Sequence, residues 1–471
     1  MVAATATQNT IAFPEIEISE ELVRRFDVSG PRYTSYPTAD RFDYTFKEER
    51  FLPYLHERAE AASNPPLSVY FHLPFCRSLC YFCACNKIIT QDYGRSAEYV
   101  RYACKEMQLV APHLGKDRRS VQLHLGGGTP TFMSQGELAM LMDETRRHFE
   151  FTPDAELGVE IDPRTVNEDT LSFLAGLGFN RCSFGVQDFD PAVQAAVNRI
   201  QPIEMVEKAV QASRDTGYES VNADLIYGLP KQTLDSFART IDEVIRISPD
   251  RIALYNYAHL PSRFKAQRMV KPEDLPSAET RLQIFLLSTR RLLEAGYVYI
   301  GLDHFAKPGD ELNLARQDKS LHRNFQGYTT RAECDLLGFG VSAIGKVGRS
   351  YNGNVRTVNT YYEALDQGRL PVERGVDLST DDVLRREIIM ILMCSMPLRF
   401  SEVEQKYGIV FEEYFAAELE RLQPYEEVGL VETRDGVITV TPKGRLFVRA
   451  LGMVFDKYLG QPTVSTYSRL I

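Results

Sequence analysis

The residues best placed to do chemistry stand in one short run, FHLPFCRSLCYFCAC, in which Cys76, Cys80, Cys83 and Cys85 fall within ten positions. A lone cysteine is usually a small buried hydrophobe, and Cys104, Cys182, Cys334 and Cys394 fit that description. Four thiols on one loop need another reason. Structural zinc favours two separated pairs, often completed by histidine, and no second CxxC follows. Disulfides suit oxidising compartments. Soft thiolates gathered on one loop suit iron–sulfur chemistry.

Further along, LHLGGGTPT sets Gly126, Gly127, Gly128 and Thr129 after a β-rich run. Consecutive glycines let a backbone come close to a ligand, and freed N–H groups there can meet a carboxylate. ELGVEIDPR carries Glu160, FGVQDF carries Gln187, VNRIQ carries Arg199 and NADLIYGLP carries Asp224. Glu160 stands at the end of a β-rich segment, Gln187 and Arg199 beyond one, and Asp224 within one. Taken singly, a carboxylate there is more often a surface or salt-bridge group.

These positions need a frame, and the pattern from Leu67 onward supplies one. LSVYFHL, VQLHL, ELGVEI, NRCSFGV, VNADLIY and RIALYNY read as strands; SAEYVRYACKEMQLVA, GELAMLMDETRRHF and IEMVEKAVQASRD read as helices. Strand–helix alternation implies a parallel sheet with right-handed crossovers. The expected fold class is α/β, a partial (β/α)6 barrel whose functional loops follow the strands' C-terminal ends. It has an N-terminal extension, residues 1–50, and a mainly helical C-terminal domain, residues 371–471, with the catalytic domain at 51–370 between them. The extension holds a short helix near Ser19–Phe26 and GPRYTSYPTADRF, whose aromatic residues between turn formers suit a lid over the barrel mouth. The C-terminal part is expected to hold helices near Asp381–Met393 and Phe411–Leu422, a hairpin turning at Asp435-Gly436, and a last helix over Lys443–Tyr458.

Composition narrows the class. Of 471 residues, 44% are hydrophobic and 25% charged, as in an ordinary globular protein, and the formal charge is −10. That balance argues against a general nucleic-acid binder. Helices plus a hairpin could make a winged helix, but residues 401–445 hold ten acidic side chains against five Lys and Arg, favouring a structural or lid role over DNA binding. No apolar run approaches the roughly 20 residues of a membrane span, and the N-terminus lacks a signal-peptide pattern. The expectation is a cytoplasmic protein with reduced thiols.

CxxxCxxC after the first strand of an αβ repeat resembles the radical S-adenosylmethionine superfamily. The resemblance implies that Cys76, Cys80 and Cys83 hold one 4Fe–4S cluster, with Cys85 not a ligand. The fourth iron is then chelated by S-adenosylmethionine, which is cleaved reductively to a 5′-deoxyadenosyl radical. GGGTPT is similar to the element that holds the methionine amino group.

PRYTSYPTA, YFHLPFC, GGGTPT, VNRIQ, NADLIYGLP, YNYAHLP, LHRNFQGYTT and the ending YSRLI resemble, across the whole chain, the oxygen-independent coproporphyrinogen III oxidases. That resemblance implies two S-adenosylmethionine molecules: Tyr70, Gly127, Glu160 and Ile344 contact the one on the cluster, and Phe82, Gly128, Thr129, Gln187, Arg199, Asp224 and Ala258 contact the second. It implies oxidative decarboxylation of two propionates of coproporphyrinogen III to vinyl groups, giving protoporphyrinogen IX in heme biosynthesis. An electron donor, flavodoxin-like or similar, and an electron acceptor complete the partners. A substrate with four carboxylates wants fixed cations, for which Arg32, Arg263, Lys307 and Arg323 are candidates. The rival is a heme chaperone of the same superfamily, expected to begin close to its cysteines and to carry an HNxxYW motif. Here 75 residues precede Cys76, the chain has no Trp, and His322-Arg323-Asn324 is not that motif. A radical methyltransferase is disfavoured by the family-like ends.

Overall fold

The computed structural model describes residues 10–13, 16–26 and 28–459, with side chains from residue 21 onward. The YSRLI ending and the first nine residues of the extension lie outside the described residues. The chain forms two compact units: residues 42–281 with 333–378, here the barrel unit, and residues 1–41 with 282–332 and 379–471, the second unit. This partition differs from cuts at 50 and 370. Strand and helix patterns continue through residues 282–332, and periodicity does not say which core an element joins.

All six expected strands form: β1 (Leu67–Leu73), β2 (Arg119–Gly127), β3 (Glu150–Ile161), β4 (Arg181–Gln187), β5 (Ser220–Tyr227) and β6 (Arg251–Asn256). They pair in sequence order, each parallel to the next. The intervening helices follow from local chemistry. Helix α1 (Gln135–His148) starts at a capping box, the Ser134 hydroxyl accepting from the Glu137 N–H while the Glu137 carboxylate accepts from the Ser134 N–H. Helix α2 (Ile203–Asp215) buries Val206, Ala209, Val210 and Ser213, one stripe at helical spacing. Each fully buried valine contributes roughly 1.5–3 kcal/mol.

Side-chain alternation decides what the sheet offers. Along β4, Cys182, Phe184 and Val186 are buried while Arg181, Ser183, Gly185 and Gln187 are half-buried on the other face; β5 buries Ala223 and Leu225 and turns Asn222 and Asp224 the other way. Register aligns that second face: Tyr70 opposite His124, Glu160 opposite Ser183, and Gly185 opposite Asp224.

The sheet also grows where the sequence pattern did not point. β7 (Asp335–Phe339) pairs parallel with the free edge of β1, and β8 (Ile344–Val347), β9 (Ser350–Asn354) and β10 (Val372–Asp377) follow antiparallel. These are segments of four to six residues, each broken by one glycine, without the longer apolar run that marks a buried strand.

In the second unit, the helix begins at Glu20 and is preceded by an unexpected hairpin of Thr10–Phe13 and Ile16–Ser19. Helix Thr380–Met393 and the hairpin with Asp435 and Gly436 both at positive φ meet expectation, while the helix expected over Phe411–Leu422 forms as two, Phe411–Tyr414 and Ala416–Glu427. The last helix does not. Lys443–Phe447 is a 3₁₀ turn and only Val448–Val454 is α-helical. Tyr33 and Tyr36 correct a second expectation. They are 1% and 0% exposed in this unit's core, the Tyr33 hydroxyl donating to Asp456 at 2.9 Å and that of Tyr36 accepting from the Lys457 N–H at 3.0 Å. Aromatic residues between turn formers read alike whether they face a ligand or a protein core. No described helix is long and apolar enough to cross a membrane.

Candidate active site

The cysteine loop leaves the C-terminal end of β1 and is held by its neighbours' backbone. Ile88 N–H donates to the Pro74 carbonyl and Thr90 N–H to that of Cys76, while Asn198 donates its amide to the Leu79 carbonyl. Cys76, Cys80, Cys83 and Cys85 all line one cavity of about 580 Å³. Its wall also includes Phe82, Gly127, Gly128, Thr129, Glu160, Gln187, Arg199 and Asp224. Eleven sequence-derived candidates, counting three cysteines, thus meet on one surface. Tyr70, Ala258 and Ile344 are not on it. Tyr70 stands one layer away, its ring stacked on His124 at 6.0 Å. The Ala258 carbonyl is tied to that of Phe82 through Gln267, whose amide donates to both. Ile344 lies half-buried in β8.

Each thiol has a distinct setting. The Thr129 hydroxyl donates to Cys76 Sγ at 3.4 Å; burial pushes the Cys76 thiol up to about 11 and the hydroxyl partly offsets it. Cys80 Sγ receives Arg199 Nη1 at 3.5 Å and Arg164 Nη2 at 3.6 Å. The Cys83 thiol is pulled down by the adjacent Cys85 thiol, against burial and with help from Lys87; Cys85 is pushed up by the same pairing and by burial. Lys87 Nζ donates to the Cys83 carbonyl at 3.0 Å.

Below the thiols the charges are ordered. Burial works against ionisation of Asp162, but Arg164 at 2.7 Å and Arg199 at 3.2 Å hold it below the usual carboxylate range. Glu160 keeps 44% of its side-chain surface open, and His124 at 3.3 Å and the Gly127 N–H at 3.2 Å outweigh its desolvation and lower its pKa. Asp224 moves the other way, raised to about 6 by burial and by the charge of Glu160, while Ser183 and Asn222 donate to it at 2.9 Å each. Burial lowers His72, which as a neutral ring donates Nε2–H to the Asn86 carbonyl at 2.8 Å; its Nδ1 then accepts from the Tyr70 hydroxyl at 3.2 Å.

The glycine turn departs from expectation in one respect. Its N–H groups are not free for a ligand's carboxylate: Gly127 donates to the protein's own Glu160 carboxylate, Gly128 to the Leu73 carbonyl at 2.8 Å and Thr129 to the Phe75 carbonyl at 2.9 Å. Glycine is required for contact instead. A Cβ on Gly128 would come within 2.6 Å of the Pro74 carbonyl carbon, and Gly127 has φ +111° against the His72 ring.

The donors present fit an iron–sulfur cluster and a polar cofactor. Cys76, Cys80 and Cys83 face one cavity from separate positions on the loop. A cubane distributes its thiolates over separate irons, so that arrangement suits it. Gln187, at φ +67° beyond a register shift in β4, has a buried Oε1 with no hydrogen-bond partner, an acceptor awaiting a ligand donor. Arg164 and Asp162 were not singled out from the sequence; their place directly after β3, in the DPR of ELGVEIDPR, was the available signal.

Comparison with known proteins agrees with this geometry. Residues 70–244 match the Radical SAM superfamily and residues 378–447 the HemN C-terminal domain. The fold and the thiol-lined cavity are those of a radical S-adenosylmethionine enzyme. The chain is 48% identical over 456 residues to the oxygen-independent coproporphyrinogen III oxidase of Pseudomonas aeruginosa, covering 96% of this chain and 98% of that one. With the enzyme of that name from Escherichia coli K12 it shares 44% over 458 residues, covering 97% and 99%. The solved structure described as "Coproporphyrinogen III oxidase (HemN) from Escherichia coli is a Radical SAM enzyme" matches with a TM-score of 0.87 over 91% of this chain and 98% of that one. This chain belongs to the family of oxygen-independent coproporphyrinogen III oxidases.

Proposed function

We propose that the chain converts coproporphyrinogen III to protoporphyrinogen IX, oxidatively decarboxylating two propionates to vinyl groups in heme biosynthesis. The observation that carries this is the cavity at the strand ends, where three thiols meet Glu160, Gln187, Arg199 and Asp224 in a chain of this family. In this reading Cys76, Cys80 and Cys83 hold one 4Fe–4S cluster. When bound, the cluster and S-adenosylmethionine supply a radical able to take hydrogen from an unactivated C–H bond.

The protein's own groups bind, orient and tune. Glu160, ionised and open to the cavity, suits an ammonium group, while the N–H donors of Arg164 and Arg199 set the charge environment of Cys80. Gln187 Oε1 and Asp224 offer acceptors on the wall beyond. Two S-adenosylmethionine molecules are proposed, the first near Tyr70, Gly127, Glu160 and Ile344. The second is assigned to Phe82, Gly128, Thr129, Gln187, Arg199, Asp224 and Ala258. Tyr70 and Ala258 act in this scheme through His72 and Gln267, which fix them.

Each propionate loses a hydrogen atom, carbon dioxide and one further electron, so an electron acceptor is required, and cluster reduction requires a donor, flavodoxin-like or similar. We place the reaction in the cytoplasm, where the chain's thiols stay reduced; all eight cysteines are free. A lid role for residues 1–50 is confined to a movement that keeps Tyr33 and Tyr36 in their core.

The test is an anaerobic assay of the reconstituted protein with coproporphyrinogen III, S-adenosylmethionine and a reductant. Protoporphyrinogen IX and 5′-deoxyadenosine are the expected products. A protein that forms neither and binds heme stoichiometrically overturns the reading in favour of a chaperone.

A further inference from the structure

A triangle of polar side chains lies on the barrel wall where β4 and β5 run side by side. The Ser183 hydroxyl donates to Asp224 Oδ2 at 2.9 Å. The Asn222 amide donates to Asp224 Oδ1 at 2.9 Å and to Ser183 Oγ at 2.8 Å. Register builds the triangle: Ser183 is opposite Asn222, Gly185 is opposite Asp224, and residues two apart on a strand share a face. All three side chains are half-buried, and Ser183 and Asp224 line the cavity that holds the thiols.

The triangle has a direction. Both N–H groups of the Asn222 amide are committed, one to each partner. One of them fills a lone pair of Ser183 Oγ, so the hydroxyl hydrogen is left to point at Asp224. Each carboxylate oxygen thus accepts one hydrogen bond from the wall and keeps capacity for a donor in the cavity. Burial opposes the charge of Asp224, and so does Glu160, which stands on β3 opposite Ser183; His124 on β2 favours it. On β6, Ala253 is opposite Asp224 and Arg251 is opposite Asn222. Arg199 is engaged with Asp162, Gln201 and the Gly185 carbonyl. Direct support of the carboxylate therefore comes from two uncharged donors.

We propose that Ser183 and Asn222 are positioning residues of the second cofactor site, holding Asp224 as a charged acceptor for donor groups of S-adenosylmethionine. This rests on the function proposed above and adds two residues to it. On protonation, the wall-facing lone pairs of Asp224 already receive hydrogens, so the new hydrogen points into the cavity. The carboxyl then offers a donor where the cofactor needs an acceptor. Hydrogen bonds to the ionised form oppose that change. Removing either donor raises the pH at which Asp224 becomes an acceptor, and retention of the second cofactor follows it.

The experiment uses the anaerobically reconstituted full chain and S-adenosylmethionine itself, with stoichiometry and affinity read by equilibrium dialysis across the range from about pH 5.5 to about pH 8. In Ser183→Ala the pH midpoint for the second molecule should move up by about one unit, the equivalent of one hydrogen bond to a charged group. Its affinity at about pH 6.5 should then fall about threefold. Asn222→Ala should shift the midpoint at least as far, because it also frees the Ser183 hydroxyl to turn away. Ser183→Thr keeps the hydroxyl and should restore the wild-type midpoint. Iron content and affinity for the first molecule should not change. Infrared difference spectra report the carboxyl directly: a protonated C=O band that titrates at about 6 in wild type, is missing from Asp224→Asn and titrates higher in Ser183→Ala. If Asn222→Ala fails to fold, Ser183→Ala and its threonine counterpart decide. An unmoved midpoint in folded Ser183→Ala overturns the role. So does a loss of the second molecule that is equal at every pH and not restored by threonine, which would mean that Ser183 only shapes the wall. A wild type that binds a single S-adenosylmethionine at every pH overturns the two-cofactor reading, and this role with it.

Discussion

Arg199 and Cys80 lie 119 residues apart in sequence and meet through an N–H···S contact of 3.5 Å, both side chains more than nine-tenths buried. The same guanidinium nitrogen reaches Asp162, and Nη2 donates to the Gly185 carbonyl at 2.6 Å. One side chain thus joins the cysteine loop to the wall assigned to the second cofactor. Hydrogen bonds to cluster sulfurs favour the reduced, more negative state. Arg199→Leu should therefore lower the cluster midpoint potential by about 60 mV, the equivalent of one tenfold change for one electron. A redox titration followed by electron paramagnetic resonance reads this directly, and an unchanged potential would show that the contact does not act on the cluster.

The ligand assignment is tested by iron content. Cys76→Ala, Cys80→Ala and Cys83→Ala should each abolish the cluster, leaving less than about one iron where wild type holds about four. Cys85→Ser should retain it. Iron loss in Cys85→Ser would reassign the fourth thiol.

Asp224 gives a pH dependence. Its folded pKa is raised to about 6, so it is protonated below that pH and carries its charge above it. If it accepts from the second S-adenosylmethionine, retention of that molecule should weaken as pH falls through 6 and recover above it. Equilibrium binding between pH 5.5 and 7.5 measures this, with Asp224→Asn as the control that should bind one molecule at every pH. For stability the sign is the reverse: a raised carboxylate pKa favours folding below 6, so Asp224→Asn should relieve a small penalty at neutral pH.

The N-terminal segment separates core from lid. Tyr33→Phe removes the hydroxyl that donates to Asp456, leaving a buried carboxylate short of a partner, and should cost about 1–3 kcal/mol. Deleting residues 1–45 also removes the Gly30 and Pro31 carbonyls that accept from Arg449. That deletion should lower the melting temperature and solubility. A truncated protein with wild-type melting temperature that has lost only product formation would favour a lid.

Much of the barrel was legible because its physics is local. A strand buried on both faces, such as LSVYFHL, is rich in apolar and aromatic residues, its polar Ser68 and His72 being hydrogen-bonded inside, and much of the chemistry shows as polar residues around the strand ends. What the pattern did not reveal depends on distance. β7 to β10 are short segments whose place in the sheet, with β7 alone on β1, is set by tertiary contact. Tyr33 and Tyr36 look like ligand-facing aromatics until Asp456 and Lys457 are seen beside them. At the site, Glu160 and Asp224 were findable from position alone. Their opposite pKa shifts were not: His124 and Gly127 on β2 lower Glu160, while burial and the charge of Glu160 on β3 raise Asp224. Arg164 was visible in sequence but unremarkable until Cys80 appeared within reach.

The second unit is stitched from three stretches of chain, and this sets a timetable for its birth. The hydrogen bond from Tyr33 to Asp456 closes across 423 residues. At roughly 5–20 residues added per second, the early segment leaves the ribosome roughly 20–80 s before its partner is made. Through that interval two tyrosines destined for a core have no home, and the nascent chain carries exposed aromatic surface ahead of a barrel that must itself wait for residues 333–378 to complete its sheet. Slower elongation lengthens that exposure and should lower the yield of folded protein.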